Sequence, residues 1–84
     1  MGKKEKLITR LRSVPSDFTF QETVTLLSFF GYHLSLKGST GGSRVIFQRD
    51  GGPSILLHRP HPDNKMKKYQ LRQMLEFLNR EGLL

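Results

Sequence analysis

The chain has 84 residues, 36% of them hydrophobic, and carries fourteen Lys and Arg against seven Asp and Glu, for a formal net charge of +7. This length allows one small domain, residues 1–84, whose core supplies only a few kcal/mol of net stability. The absence of cysteine excludes disulfides and thiolate metal sites, and no apolar run approaches the roughly 20 residues that span a bilayer. We therefore expect a soluble, cytoplasmic protein with a polyanionic or acidic partner.

The first predicted element is a short helix. Residues 3–13 carry apolar side chains at helical spacing, and Pro15 ends the pattern. We predict that residues 1–15 form a peripheral helix in front of a core of residues 18–84.

The second predicted helix, about residues 20–30, has signals at both ends. Thr19 and Glu22 stand at the spacing of a capping box, in which the two residues satisfy each other's backbone N–H groups. Gly31 falls where a helix commonly ends in a left-handed residue.

Three short strands are predicted after the second helix, because the hydrophobic period changes to two. The alternating segments are residues 32–37, 44–48 and 54–58. The second and third segments are joined by "RDGGPS", and its Asp-Gly-Gly is a strong hairpin signal. These two strands are therefore predicted to be antiparallel.

A last helix is predicted from about Asn64 to Arg80, after the prolines of "HRPHPDN" have interrupted regular structure. Its apolar stripe contains Leu71, Leu75 and Leu78. The order α-β-β-β-α, with an extra short N-terminal helix, predicts an α+β fold. Two helices cover one face of a three-stranded antiparallel sheet, and the other face stays open.

The predicted strand pairing places cations and a histidine side by side on the open face. Arg44 lies across from His58, and Lys37 lies across from Arg44. This row is at the end of the sheet that carries the loop "KGSTGGS" and the segment "HRPHP". His33 is left at the opposite end, about 16 Å along the strand.

Four segments of the chain, in order, carry a resemblance to a known family: "FGYHLSLKGS", "GGSRVIF", "ILLHRPHP" and "KKYQLRQMLEFLNREGL". From about Phe18 to Leu84 the chain resembles the HicA toxins of bacterial toxin–antitoxin systems, small basic ribonucleases with the fold of double-stranded RNA-binding domains. The resemblance implies cleavage of messenger RNA. It also implies a HicB-like antitoxin that covers the toxin in a hetero-oligomer.

The resemblance has one departure, at the start of the second strand. Many HicA toxins have their catalytic histidine there, after a Gly-Ser pair, whereas Gly42 and Ser43 of this chain are followed by Arg44. That histidine therefore cannot be carried over. The histidine that ends the family's third-strand motif matches His61.

Cleavage of RNA without a metal requires a base for the 2′-hydroxyl, an acid for the leaving oxygen and positive charge near the phosphorane. Histidine suits the first two roles because its reference pKa is about 6.5, and Arg and Lys suit the third. The predicted catalytic residues are His58, His61 and Arg44, and no cofactor is expected. Further phosphate-binding residues are Lys37, Ser43 and Arg59. The alternative interpretation is that both histidines are ordinary polar residues at a strand end.

A lysine cluster lies at the predicted start of the last helix. Lys65, Lys67 and Lys68 would oppose the helix dipole there by a few tenths of a kcal/mol. Their placement indicates an anion, and it is similar to the lysines with which double-stranded RNA-binding domains contact phosphates. The alternative is a solvated face with no ligand.

Two other kinds of site are weakly indicated. His58 and His61 form H-x-x-H near Asp63, but no third histidine completes a zinc site. Ser39 and Ser43 do not lie in the G-x-S-x-G motif of a serine hydrolase. We therefore predict no metal site and no serine nucleophile.

The competing hypothesis on function is a non-catalytic module of the same fold that binds RNA or a protein. Ile46 and Leu56 are predicted to be adjacent on the open face, ringed by cations. An exposed apolar pair of this kind suits a protein partner.

Overall fold

The computed structural model of the chain describes residues 2–35, 44–60 and 63–84. Its helices are α1 (Lys3–Arg12), α2 (Phe20–Ser28) and α3 (Lys68–Arg80), and its strands are β1 (His33–Ser35), β2 (Arg44–Gln48) and β3 (Ile55–His58). The strands form an antiparallel sheet in the order β1-β2-β3. The predicted α+β fold and its element order are confirmed.

The predicted start of α2 and the left-handed Gly31 are confirmed, although the helix itself ends at Ser28, two residues earlier than predicted. The Glu22 N–H donates to Thr19 Oγ1 at 3.1 Å, and the Thr19 N–H donates to Glu22 Oε1 at 3.0 Å, which completes the capping box. Gly31 has a φ of 87°, and the Tyr32 N–H donates back to the Leu27 carbonyl at 3.0 Å. The left-handed glycine thus turns the chain out of α2 and directly into β1.

The predicted hairpin joins β2 to β3, and its turn packs against a tyrosine. The register runs from Arg44 opposite His58 to Phe47 opposite Ile55. The Tyr32 hydroxyl donates to the Pro53 carbonyl at 2.7 Å, and the Arg49 guanidinium lies 5.3 Å from the Tyr32 ring centroid. A Cβ on Gly52 would meet the Arg49 side chain, so a larger residue there would require that side chain to move.

The hydrophobic core lies between the helices and one face of the sheet. Alternate strand residues point into it, as the period of two predicts. Its buried side chains include Tyr32, Phe47, Ile55 and Leu57 from the sheet side and Leu26, Leu27, Leu71, Met74 and Leu78 from the helices. Leu75, predicted on the same stripe of α3, is only half-buried.

Helix α1, which was predicted to be peripheral, instead shares this core, and an ion pair ties it to the start of α2. Leu7 and Leu11 are buried, and α1 contacts both α2 and α3. Arg10 pairs with Asp17 at 2.8 Å and donates a second hydrogen bond to Glu22. The carboxylate that completes the cap of α2 therefore also anchors α1.

The last helix starts later than predicted, at Lys68 with Lys67 as N-cap, because the preceding residues pair with another segment. The Phe20 N–H donates to the Asn64 carbonyl at 2.7 Å, and the Met66 N–H donates to the Phe18 carbonyl at 2.7 Å. A β-bridge joins Thr19 to Lys65 between them. The extended backbone of residues 64–66 thus holds the start of α2 instead of forming a helical turn.

Glu22 makes the stability of the fold dependent on pH. Burial of its carboxylate raises its pKa, but the hydrogen bond from the Thr19 N–H and the ion pair with Arg10 outweigh burial, so the pKa of Glu22 lies below its ordinary value. A carboxylate with a depressed pKa stabilises the fold above the pKa of the unfolded chain, and this stabilisation is lost as the pH falls through the folded pKa.

We therefore expect the free energy of unfolding, measured by urea denaturation, to fall between pH 7 and about pH 3 by a larger amount in the wild type than in Glu22→Gln. Glutamine keeps the capping-box hydrogen bond and removes the charge, so it isolates the titration. Equal losses in the two proteins would show that Glu22 does not carry the acid dependence.

Candidate functional site

The exposed end of the β2–β3 ladder brings together the first residues of the candidate site. Arg44 and His58 are register partners, and both are exposed on the sheet face that the helices leave open. His33 pairs with Gln48 at the other end of the sheet. The predicted positions of these three residues are confirmed.

Gln70 of α3 fixes the main chain of His58. The His58 N–H donates to Gln70 Oε1 at 2.9 Å, and Gln70 Nε2 donates to the His58 carbonyl at 2.9 Å. Gln70 is 2% exposed, so the carboxamide replaces a neighbouring strand in a place that water does not reach. It ties the last residue of β3 to the first turn of α3.

Gln70 was not predicted as a site residue, although the sequence contains a signal for it. The residue directly precedes Leu71 and stands four positions before Met74, both of which are buried. A glutamine on the apolar stripe of a helix requires a buried hydrogen-bond partner. The helical period of 3.6 therefore indicates that the side chain at this position is buried and hydrogen-bonded. It does not identify the residue or strand that supplies the hydrogen-bond partner.

The contact with Gln70 also shows which kind of antiparallel pair Arg44 and His58 form. A strand residue directs its N–H and C=O to the same side, and those of His58 point to Gln70, away from β2. Arg44 and His58 are therefore a non-hydrogen-bonded pair of the antiparallel ladder, the kind whose Cα atoms lie about 4.5 Å apart. Side chains of such a pair stand next to each other on one face.

Arg59 directly follows β3 and lies against the start of α2. Its guanidinium is 4.9 Å from the Phe20 ring centroid, and the Phe20 ring packs 6.3 Å from the Phe47 ring. The aromatic contact fixes the arginine stem, and the residue as a whole remains exposed. Arg59 thus places a cation beside the end of β3.

The lysine cluster is exposed, but it is less helical than predicted. Lys65 belongs to the bridge with Thr19, Lys67 is the N-cap of α3, and Lys68 is the first helical residue. Within residues 2–35, 44–60 and 63–84, Arg10 is the cation that forms ion pairs, so these lysines have none. The first turn of α3 also has no acidic residue and no side-chain cap.

Three predicted site residues, Lys37, Ser43 and His61, lie outside the described residues, and their roles stay predictions. Among the residues that the structure describes, no cluster of three His, Cys, Asp or Glu side chains could hold a metal ion. Asp63, suggested as a third ligand, accepts a hydrogen bond from the Lys65 N–H at 3.0 Å.

A family model described as HicA toxin of bacterial toxin-antitoxin matches residues 20–79, more than half of the chain. The chain belongs to the HicA toxin family. The matched segment starts with α2, contains the sheet and ends within α3, so α1 precedes it. Comparisons with curated proteins and with solved structures give no match.

Membership confirms the family that the four sequence segments indicated and makes this HicA chain a toxin of a bacterial toxin–antitoxin system. The described helices include none that is long and apolar enough to cross a membrane. Arg44, which replaces the expected histidine, is the first residue of β2 and faces His58.

The role of Gln70 can be tested by Gln70→Leu. This substitution removes the hydrogen-bond partner of both main-chain groups of His58, so the free energy of unfolding should fall by about 1–3 kcal/mol. Gln73→Leu, at an exposed position three residues later on α3, should change it by less than about 0.5 kcal/mol. Urea denaturation of both variants measures the difference, and equal values would mean that the Gln70 contact does not stabilise the fold.

Proposed function

We propose that this HicA chain is a metal-independent endoribonuclease that cleaves messenger RNA, with its active end at Arg44 and His58. The observation that carries the proposal is their register: an imidazole and a guanidinium stand side by side on an exposed, basic surface. Neither residue is used in an ion pair of the described structure. Both are therefore free to meet a phosphodiester.

The same register accounts for the changed motif. Many HicA toxins have a histidine where this chain has Arg44, and here a histidine stands directly across the ladder instead. A non-hydrogen-bonded pair brings the two side chains about as close as a sheet allows. His58 therefore supplies an imidazole at the same end of the sheet, from the neighbouring strand.

In the proposed reaction, the 2′-hydroxyl of the RNA attacks the adjacent phosphorus and the 5′-oxygen of the next nucleotide leaves. One histidine accepts the hydroxyl proton and another donates a proton to the leaving oxygen. His58 and His61 are the two candidates, and the order of their roles is open. Arg44 stabilises the negative charge that develops on the phosphorane oxygens.

The cations around this pair are proposed to hold the RNA backbone. Arg59 follows His58, and the contact with Gln70 links His58 to the helix that Lys67 and Lys68 begin. Lys65 lies at the start of α2 together with Arg59. Lys37 and Ser43, which lie outside the described residues, are proposed to add phosphate contacts. Contacts of this kind bind any sequence, which suits a weakly specific ribonuclease.

The proposed inhibitor is an acidic HicB-like antitoxin that forms a hetero-oligomer with the toxin in the cytoplasm. Its binding is favoured by the net charge of +7. Leu56 is 58% exposed on the open face and pairs with the half-buried Ile46, so an apolar patch adjoins the active end. One partner could cover both.

A second candidate function is a non-catalytic RNA- or protein-binding module. The observation that favours it is Arg44 itself, because the histidine that the family uses is replaced. Binding to a polyanion requires only the cations, whereas cleavage requires the histidines as well.

The catalytic assignment is tested with a labelled transcript and purified protein. His58→Ala should lower the cleavage rate by about 10²-fold or more because it removes an acid–base group, and Arg44→Ala should do so through lost charge stabilisation. His61→Ala should also be defective. His33→Ala is the matched control, because it removes an exposed histidine from the far end of the sheet.

Chelation of divalent ions with EDTA should leave wild-type cleavage unchanged. If His58→Ala and His61→Ala both cleave like the wild type, the histidine assignment is wrong. If the wild type binds the transcript without cleaving it, the binding module is the correct function.

The phosphate-binding assignment is tested by the salt dependence of RNA affinity. The double variant Lys67→Ala/Lys68→Ala should bind a single-stranded transcript more weakly. The slope of log affinity against log salt should fall in magnitude by about 0.7 for each phosphate that the variant no longer neutralises. Lys6→Ala, an exposed lysine on α1, is the control. An unchanged slope in the double variant would exclude both lysines from the RNA interface.

A further inference from the structure

One of the two edges of the sheet is formed by β3, because the strand order is β1-β2-β3. An edge strand presents main-chain N–H and C=O groups that another chain can pair with. The Gln70 carboxamide already pairs with those of His58. The edge of β3 is therefore closed at its last residue by a group that resembles a peptide.

Leu56 is the next residue along β3 whose main-chain N–H and C=O groups point outward from this edge. Backbone direction alternates along a strand, so residues two apart direct their N–H and C=O groups to the same side. Since those of His58 point away from β2, those of Leu56 do as well. No side chain of the described residues binds them, and Gln70 reaches only His58.

A cleft of about 310 Å³ lies along this edge, between β3 and α3. Residues 54–57 border it on the strand side, and Gln73, Phe77 and Arg80 border it on the helix side. The Leu56 side chain belongs to the open face, away from α3, so the main chain of Leu56 is what borders the cleft. The cleft thus gives a partner access to the unpaired groups.

We propose that the antitoxin adds an extended strand to the edge of β3 and pairs with the main chain of Leu56. This inference rests on the proposed function for the existence of an acidic antitoxin, and it goes further by assigning the binding mode and the edge. Gln70 ends the added ladder, because it occupies the next outward-facing position. The added strand is therefore short and lies beside residues 54–56.

The net charge of the chain favours an acidic protein over a second copy of the same chain as the partner at the β3 edge. Two copies would each bring a formal charge of +7 to the shared edge, which opposes their pairing. Arg80 borders the cleft without an ion pair in the described part of the chain, and Glu76 is an acidic residue in the same lining. Acidic side chains on the added strand would find Arg80 unpaired.

The test uses the toxin chain and a purified acidic HicB-like protein. Leu56→Pro removes the outward N–H and leaves the hydrogen bonds of β3 to β2 in place, as proline does on an edge strand. Leu56→Ala removes most of the side chain and keeps the N–H. We expect Leu56→Pro to weaken binding at least tenfold and Leu56→Ala to weaken it less.

A second measurement needs no variant. Amide hydrogen exchange of Leu56 in the wild-type toxin should slow at least tenfold in the complex, whereas exchange of the Lys6 amide, which is hydrogen-bonded to the Gly2 carbonyl in α1, should not change. Unchanged Leu56 exchange, or equal losses of affinity in Leu56→Pro and Leu56→Ala, would overturn strand addition. Equal losses would assign the contact to the side chain on the open face.

Two outcomes distinguish a failure of strand addition from a failure of the ribonuclease assignment. If the wild-type toxin cleaves RNA but does not bind the HicB-like protein, strand addition by that partner is wrong and the ribonuclease assignment stands. If Leu56→Pro folds with a wild-type circular dichroism spectrum but loses RNA binding instead of antitoxin binding, the edge belongs to the RNA interface and the proposal is also wrong.

Discussion

The hydrogen bonds between Gln70 and His58 connect the parts on which the candidate site depends. They close the end of β3, connect the first turn of α3 to the sheet, and satisfy the peptide groups of His58 that point away from β2. This orientation, which the strand register sets, puts Arg44 and His58 in the closer of the two antiparallel arrangements. A buried amide on α3 thus supports the end of the ladder where these two exposed side chains stand.

A second set of contacts gathers at the start of α2. The cap of this helix, the extended segment of residues 64–66 and the end of α1 all meet there, through Thr19, Glu22 and Arg10. Arg59 adds a cation over Phe20 at the same point. Contacts that hold the helices together therefore also position the cations of this basic surface.

Local patterns predicted much of this architecture, because capping, period and turn chemistry act over a few residues. The capping box at Thr19, the left-handed Gly31 and the register of Arg44 with His58 all agree with the structure. The predicted start of α3 was wrong, because residues 64–66 pair with a segment more than forty positions away in sequence, which helical propensity does not register. Gln70 was missed for the same reason: its partner lies on another element. The placement of Lys37, Ser43 and His61 stays a prediction.

The pairing of Arg44 with His58 has a consequence for how motifs are read. Positions 44 and 58 are fourteen apart in the chain and neighbours on the surface. A motif written as consecutive letters shows only that Gly-Ser is followed by arginine and not by histidine. A comparison of three-dimensional positions also shows that the His58 imidazole lies next to the Arg44 guanidinium. A signature written over cross-strand pairs therefore includes such neighbours, which a linear string separates by the length of a hairpin.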